Sequence, residues 1–468
     1  MTSRSRYRLL LAVSCVLSTY SFLNHHKFPL NFNAFWPDQR QSSSRRPPPP
    51  SPVEERQQVP LASLESSFFT WSDPDAPPLP KPPYKPEAEL SLPIPDPFPL
   101  LSEYPAPSRK FLLQHVPKPP KSHSKEEAPL LIGFTRNWPL LLQCLTSYIA
   151  AGWPPSSIYV VENTGTMFSN KQGQLTLQNP FYLNHTQLGM LGVNVIITPT
   201  LLTFAQLQNF YLWFVSPFAP LLLPRRLTAV KKRTALNRNW DYFFWSHQDL
   251  LVFSPPHDPS STLYSNVLSV MQYLKSPAAP KWAHHFFAYD HLTLVNLPSV
   301  LSIGGWDTHI PFYSTDCDMY TRLMWAGFWQ GESPEVGLIF DVKTPVDDVA
   351  ALLSLPGHEA GFNGTVYEDV VELGEAMQEV KYNHSNDNSG RNTWQLRQRG
   401  GQEEPFYRDA AGFEVGTKMM IDLGRAVFAE KWGHRGCDIA LMEGIESRDA
   451  WRLERDWEEG ENGGEDGW

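Results

Sequence analysis

The chain has 468 residues, of which 41% are hydrophobic, so it can bury one large core or two ordinary ones. Its formal net charge of -10 argues against a nucleic-acid partner, because proteins that bind nucleic acid carry a basic face. The 4 cysteines include no Cys-x-x-Cys pair, which excludes the common zinc and redox motifs. In an oxidising compartment two of Cys144, Cys317 and Cys437 could pair, and the sequence leaves the choice open.

The N-terminus combines a basic segment with a short apolar one. Residues 1–8 are arginine-rich and predicted to form a cytoplasmic tail, and residues 9–23 are predicted to form a signal-anchor transmembrane helix. This arrangement predicts a single-pass type II membrane protein of the Golgi or ER, with the rest of the chain in the lumen. A cleaved signal peptide is the alternative, because an apolar run of this length suits both.

Residues 24–127 are rich in proline and are predicted to form a largely disordered stem. Proline fixes φ and removes a backbone donor, so an extended chain that acts as a spacer is expected. Residues 441–468 are predicted to form an acidic C-terminal tail. Three N-glycosylation sequons suit a lumenal chain, and they begin at Asn184, Asn363 and Asn383.

Between these flanks, residues 128–440 alternate strand and helix patterns. Strands at 130–134 and 157–161 around a helix at 139–151 predict a βαβ unit, and so an α/β fold with a mostly parallel sheet flanked by helices. Further strands are predicted at 192–198, 241–245, 250–253, 282–289 and 292–295. Further helices are predicted at 204–215, 261–274, 315–326, 367–380 and 413–428.

Polar side chains stand where three of the predicted strands end. They are Thr135 and Arg136, then Glu162 and Asn163, then His247 and Asp249. Open α/β sheets bind ligands beyond the carboxyl ends of their strands, so this pattern predicts a ligand site there. The alternative for the segment 241–249 is a strand that ends in a solvated turn.

A glycine pair and an acidic helix start follow later in the chain. Gly304 and Gly305 predict a tight turn or a close approach of the backbone to a ligand. Asp316 and Asp318 are expected in the first turn of a helix capped by Thr315 or Ser314. Asp318 precedes Arg322 by four residues, the spacing of an ion pair on a helix.

Residues 130–436 resemble the GT-A glycosyltransferases, closest in pattern to the family 2-like enzymes and to fungal-type type II membrane proteins. Four segments carry the resemblance in the order of the family: LIGFTR at 131–136, VVEN at 160–163, WSHQD at 245–249, and GGWD at 304–307 with TDCD at 315–318. The resemblance implies a GT-A (Rossmann-like) fold. It also implies a UDP- or GDP-linked sugar as donor and a glycan or glycoprotein as acceptor.

The same resemblance implies a donor and metal site. It places at the donor nucleotide Thr135, Arg136, Glu162, Asn163 and His247. Asp249 is implied as the first ligand of Mn²⁺ or Mg²⁺, which would stabilise the charge of the leaving diphosphate. His247 replaces the first acid of the family's motif and could ligate the metal or touch a phosphate. His434 is implied to complete the metal site, and a surface loop histidine is the alternative.

On the acceptor side the resemblance places Gly304, Gly305, Trp306, Asp307, Asp318 and Arg322. Asp316 matches the catalytic base by position, which implies an inverting reaction. The alternative is that Asp316 and Asp318 only stabilise a helix N-terminus. Two other functions stay open: a catalytically silent GT-A-like binding or scaffold protein, because of His247, and a metal-dependent hydrolase that uses the histidines.

Overall fold

A computed structural model describes residues 80–83, 128–216, 240–255, 258, 261–345, 365–382 and 410–457. The predicted anchor, most of the stem, the sequons at Asn363 and Asn383, and residues 458–468 lie outside these ranges. Among the described helices, none is both long and apolar enough to span a bilayer. The described residues from 128 onward belong to one unit.

The βαβ prediction is confirmed at the start of this unit. Strand β1 (Leu130–Phe134) and strand β2 (Ile158–Glu162) are parallel and are joined by helix α1 (Trp138–Ala150). Both strands are apolar on both faces because both faces are covered, as expected for interior parallel strands.

The central sheet adds five strands to this unit: β3 (Asn194–Ile197), β4 (Tyr242–Ser246), β6 (Trp282–Phe286), β7 (Leu292–Asn296) and β8 (Trp329–Glu332). Their order is β3-β2-β1-β4-β7-β6-β8, and β7 alone runs against its neighbours in this sheet of the described chain. The short connection from β6 to β7 allows the antiparallel hairpin, whereas parallel neighbours need a crossover. The predicted α/β class with a mostly parallel sheet is confirmed.

A second, two-stranded sheet lies beside the end of β4. Strand β5 (Leu250–Phe253) pairs antiparallel with β9 (Leu338–Asp341), in a register that sets Leu250 opposite Asp341. Asp249 immediately precedes β5, so this pairing brings Asp341 next to it although 92 positions separate the two in the sequence.

The remaining described helices are α2 (His185–Leu191), α3 (Phe204–Val215), α4 (Leu263–Leu274), α5 (Leu297–Ser302), α6 (Thr315–Trp325), α7 (Thr365–Tyr382) and α8 (Ala410–Trp432). Helix α8 is longer than predicted, so Lys431 and Trp432 lie in its last turn and not after it. The capping prediction for α6 is wrong. Ser314 precedes the helix with φ 68° and its side chain makes no capping bond, and the Thr315 hydroxyl has no partner among the described residues.

The end of α8 is tied to α6 and to the segment that follows it. A disulfide joins Cys317 to Cys437, and Cys144 is buried and free, which answers the question of pairing that the sequence left open. Residues 441–457, predicted as part of a tail, contact the end of α8 through backbone bonds such as Trp451 N–H to the Lys431 carbonyl at 2.7 Å. Apolar side chains within this segment, Ile445 and Ala450, pack against the buried cluster that contains Phe428, Trp432 and Ile439.

Candidate functional site

The turn after β4 is held in place by side chains from α1 and by the end of β1. The Tyr148 hydroxyl donates to Ser246 Oγ at 2.8 Å, and Ser246 donates to the His247 carbonyl at 2.8 Å. Gln248 Nε2 donates to the Arg136 carbonyl at 2.7 Å. The backbone from 246 to 249 is therefore fixed by hydrogen bonds to both neighbouring elements, and its side chains project from a rigid support.

A cavity of about 260 Å³ opens at the carboxyl ends of β1, β2 and β4. This is where an open α/β sheet binds its ligands. Five of the predicted site residues line it: Thr135, Arg136, Asn163, His247 and Asp249. Helices α3 and α8 supply walls that the sequence did not predict, with Gln208, Tyr211, Phe413, Thr417 and Met420 among them.

Three residues that line the cavity each carry a buried nitrogen with no hydrogen-bond partner among the described residues. These atoms are Gln208 Nε2, Trp245 Nε1 and His247 Nε2. The side chains of Gln208 and Trp245 are only 2% exposed. An unsatisfied buried donor costs about 1–3 kcal/mol, so a ligand acceptor that reached Gln208 or Trp245 would remove that cost.

Arg136 adds a fixed positive charge to the same wall. The residue is buried, and its guanidinium carbon lies 4.8 Å from the centre of the Phe413 ring in α8. Arginine stays protonated and matches the geometry of carboxylates and phosphates. Asn163 shapes the opposite side, because its amide group exchanges two bonds with the backbone of Leu202, at 2.8 and 2.7 Å.

Glu162, predicted to face the donor nucleotide, is not part of the cavity lining. It is 1% exposed, and its carboxylate accepts from Asn170 Nδ2 at 2.7 Å and lies 2.7 Å from His185 Nε2. These bonds connect the end of β2 to the loop and to α2. Contact between Glu162 and a nucleotide stays a prediction.

Asp249 has a partner that the sequence analysis missed. Lys381, fully buried at the end of α7, donates from Nζ to Asp249 Oδ2 at 2.8 Å and also to Asp341 Oδ1. Burial acts to lower the pKa of Lys381, but the charges and hydrogen bonds of the two aspartates raise it above its usual value. We call Asp249, Asp341 and Lys381 the cavity cluster.

The residues implied for Mn²⁺ or Mg²⁺ do not fit such an ion in this arrangement. The ammonium of Lys381 occupies the Asp249 carboxylate. His434 has its two ring nitrogens against the carboxylates of Asp456 and Asp438, which outweigh burial and raise its pKa, and it does not line the cavity. Within the described part of the chain, no three His, Cys, Asp or Glu side chains are grouped to hold a metal.

The predicted glycine turn is confirmed. Gly304 and Gly305 have φ values of 89° and 75°, a region that favours glycine. A Cβ added to Gly305 would lie 2.7 Å from Asn209 Oδ1 of α3. Asn209 itself bonds both backbone groups of Trp306, at 2.9 and 2.8 Å, and Trp306 is buried. The turn is thus pinned against α3.

The predicted ion pair between Asp318 and Arg322 is confirmed at 2.7 Å, and it belongs to a larger network. Lys431 of α8 lies 2.6 Å from Asp318 and 2.7 Å from Asp307. Arg322 also donates to the Gly305 carbonyl at 2.8 Å. We call Asp307, Asp318, Arg322 and Lys431 the turn cluster, and none of its four members lines the cavity.

Lys431 also affects the ionisation of Asp307. Burial acts to raise the pKa of Asp307, but the bonds from Lys431 and His309 hold it at about 2. Asp316, the predicted base, stands half-buried in the first turn of α6, three residues after Tyr313, which lines the cavity. The catalytic role of Asp316 and the acceptor side stay predictions.

Three histidines of the central sheet and its edge have lowered pKa values. Burial lowers the pKa of His284 to about 3 and that of His285 to about 4, and His291 beside Asp341 has a pKa of about 4, mainly because it is buried. His284 and His285 lie side by side in β6 within the core. Their burial in the strand agrees with a packing role, and the hydrolase stays an untested alternative.

Comparisons with known proteins add little to this geometry. No protein-family model and no curated protein matches the chain. Among solved structures, the chain is similar to a mannosyltransferase, PcManGT from Pyrobaculum calidifontis in complex with GDP-Man and Mn²⁺. The TM-score is 0.30 and the identity 12%, over 58% of this chain and 76% of that one. This likeness is too weak to support a functional inference, and it does not bear on the expectation of a fungal-type membrane protein.

Proposed function

We propose that this protein is a glycosyltransferase that moves a sugar from a nucleotide-diphosphate sugar to a glycan or glycoprotein acceptor. The observation that carries the proposal is the cavity at the carboxyl ends of β1, β2 and β4, lined by Arg136 and by three residues that carry unpartnered buried nitrogens. A diphosphate and a sugar are dense in acceptor oxygens, and a parallel α/β sheet binds nucleotides at this edge. The cavity supplies one positive charge and several donors to such a ligand.

The chain's own residues account for the steps of transfer. Arg136 and the donors of the cavity wall bind the diphosphate and stabilise the charge that develops as the bond to the anomeric carbon breaks. The acceptor hydroxyl attacks that carbon from the opposite face, its proton passes to Asp316, and the nucleoside diphosphate leaves. Attack from that face inverts the configuration. The turn cluster holds the glycine turn on the acceptor side.

The test is a transfer assay on the full-length protein with UDP- and GDP-linked sugars. Asp316→Asn is expected to abolish transfer while thermal stabilisation by the matching nucleotide persists, because the variant keeps the cavity and loses the base. A ligand at 100 times its Kd adds about 2.7 kcal/mol, which gives a readable shift. Transfer by Asp316→Asn at the wild-type rate would remove Asp316 from the mechanism.

One observation favours a second function. Because Lys381 occupies Asp249, a GT-A-like domain that binds a nucleotide sugar without turning it over is the competing proposal. In that case wild type and Asp316→Asn would bind the nucleotide equally, and neither would transfer sugar to any acceptor in a glycan panel.

We extend the proposal to a lumenal location behind an N-terminal anchor in the Golgi or ER. Asn184 caps α2 by accepting from the Gln187 amide at 2.9 Å, so its sequon is best removed through the exposed Thr186. The protein made in a secretory host is expected to lose mass on endoglycosidase treatment, and Thr186→Ala is expected to abolish that loss. The variant keeps the Asn184 side chain and so keeps the cap of α2. A wild-type chain that carries no glycan at Asn184 would count against a lumenal site there.

A further inference from the structure

We propose that Lys381 is the resident cation of this site, occupying the place where the resemblance puts a divalent metal, so that the cavity takes its ligand without Mn²⁺ or Mg²⁺. The identity of that ligand, a nucleoside diphosphate, rests on the proposed function. The claim about Lys381 rests on the geometry of the cavity cluster.

The ammonium of Lys381 uses a set of oxygens that a hard cation would use. Its three N–H groups face three acceptors: Asp249 Oδ2 at 2.8 Å, Asp341 Oδ1, and the Val342 carbonyl at 3.3 Å. Two carboxylates and a carbonyl are typical ligands of Mg²⁺ and Mn²⁺. The side chain of Lys381 is 0% exposed, so the ammonium is enclosed by these groups.

Helix α7 fixes Lys381 in this position through one of its faces. Val371, Gly374, Gln378 and Lys381 follow at spacings of three and four residues, which places them on the same side of the helix. A Cβ on Gly374 would lie 2.7 Å from the Phe340 ring, so the helix lies directly against β9. Gln378 Oε1 accepts from the Asp341 amide at 3.0 Å, next to the lysine.

The charges show why a lysine here helps an anionic ligand. Asp249 lines the cavity, and Lys381 approaches its carboxylate from the α7 side without lining the cavity itself. A bare carboxylate in the wall would repel a diphosphate, and the repulsion is strong where water is scarce. Lys381 compensates that charge from behind, which reduces the repulsion between Asp249 and an anionic ligand.

The test uses Mn²⁺ alone, followed by electron paramagnetic resonance on the full-length protein. Wild type is expected to show no saturable Mn²⁺ binding that depends on Asp249. Lys381→Ala exposes the two carboxylates and is expected to bind Mn²⁺ at least about tenfold more tightly than wild type. Changes to the groups around metal ligands usually alter metal affinity by this much. Asp249→Asn/Lys381→Ala is expected to lose that gain.

The matched control for folding is Asp249→Asn/Lys381→Met, which keeps the net charge of the cluster at the wild-type value because one negative and one positive charge are removed. Saturable Mn²⁺ binding by wild type, abolished by Asp249→Asn, would overturn the proposal. A Lys381→Ala variant that folds and gains no Mn²⁺ binding would also overturn it. Loss of all UDP and GDP binding would remove the proposed function, and the Mn²⁺ titration would still decide on Lys381.

Discussion

Two pairs of aspartates in this protein are each bridged by a buried lysine, and their surroundings differ. In the turn cluster two carboxylates meet two cations, Lys431 and Arg322, and the Trp432 indole donates to Asp318 at 3.0 Å. In the cavity cluster two carboxylates meet the ammonium of Lys381.

The difference matters because only one cluster reaches the cavity. Asp249 lines it beside His247, whereas the turn cluster joins α6, α8 and the glycine turn away from it. The same chemical motif therefore joins helices and a turn in one place and forms part of the cavity wall in the other. Four experiments can break or sharpen this distinction, beginning with the largest expected effect.

Lys431→Met removes the shared cation of the turn cluster. It leaves buried Asp318 short of a partner, so we expect a loss of about 3–5 kcal/mol in the free energy of unfolding, measured by urea titration. Nucleotide affinity should not change if the protein is folded. Lys418→Met is the control, because Lys418 forms an exposed pair with Asp422 at 3.4 Å on the same helix, and it should cost about 0–1 kcal/mol. A similar loss in both variants would contradict the structural role of Lys431.

Arg136→Gln should have the opposite profile. A hydrogen bond to a charged group is worth about 1.5–3 kcal/mol, so we expect the Kd of the matching nucleotide to rise by about 10–100-fold. Stability should fall less than in Lys431→Met, and a urea titration of the same variant checks this. The exposed Arg448→Gln serves as the charge-matched control, and calorimetric titration is the measurement. Equal affinities in the two variants would take Arg136 out of the site.

Gly305→Ala tests whether the turn depends on its backbone conformation. The φ of 75° and the 2.7 Å approach to Asn209 predict a loss of about 1–3 kcal/mol in stability. Gly416→Ala within α8 meets nothing within 4 Å and should be neutral or stabilising by up to about 1 kcal/mol. Thermal melts of the two variants compare them directly; a tolerated Gly305→Ala would mean that the turn is not pinned.

The last experiment concerns the dependence of stability on pH. His284, His285 and His291 have pKa values of about 3, 4 and 4 in the folded protein against 6.5 when unfolded, so the unfolded chain binds more protons below pH 6.5. The free energy of unfolding should therefore fall as pH falls from 6.5 to 4. The contribution of Asp307, with a pKa of about 2 against 3.8, persists in that window and is lost only as pH falls towards 2.

His284→Phe checks this assignment, because it removes one of the titrating groups while keeping an aromatic ring in the core. Its slope between pH 4 and 6.5 should be lower than that of wild type by up to about 1.4 kcal/mol per pH unit, measured by urea titrations at several pH values. An unchanged slope would show that His284 is protonated in the folded protein.

Much of the fold follows from the order of residues, because periodicity reports which faces are buried. The strands at β1, β2 and β5 and the helix α3 lie where the pattern puts them. The pair Asp318 and Arg322 was also predictable, since four residues along a helix bring the side chains together. Five of the six polar residues at the strand ends meet at the cavity, because parallel strands present their carboxyl ends at one edge.

The partners that decide the chemistry were not predictable in this way. Lys381 is 132 positions from Asp249, and only the packing of α7 on β9 brings the two together. Gln208 enters the cavity from α3 for a similar reason, the tertiary docking of a helix. One signal in the sequence was available: Lys381 continues the inward face of α7 set by Val371 and Gly374, and a lysine on such a face requires a buried anion.

The central claim is that the cavity binds a nucleoside diphosphate through the chain's own charges. Its most direct test is a calorimetric titration of UDP and of GDP into the full-length protein, in EDTA and again with Mn²⁺. We predict that one nucleotide binds with the same Kd in both conditions. Binding that appears only with Mn²⁺ would contradict the role of Lys381, and no binding of either nucleotide in either condition would contradict the assignment of the cavity itself.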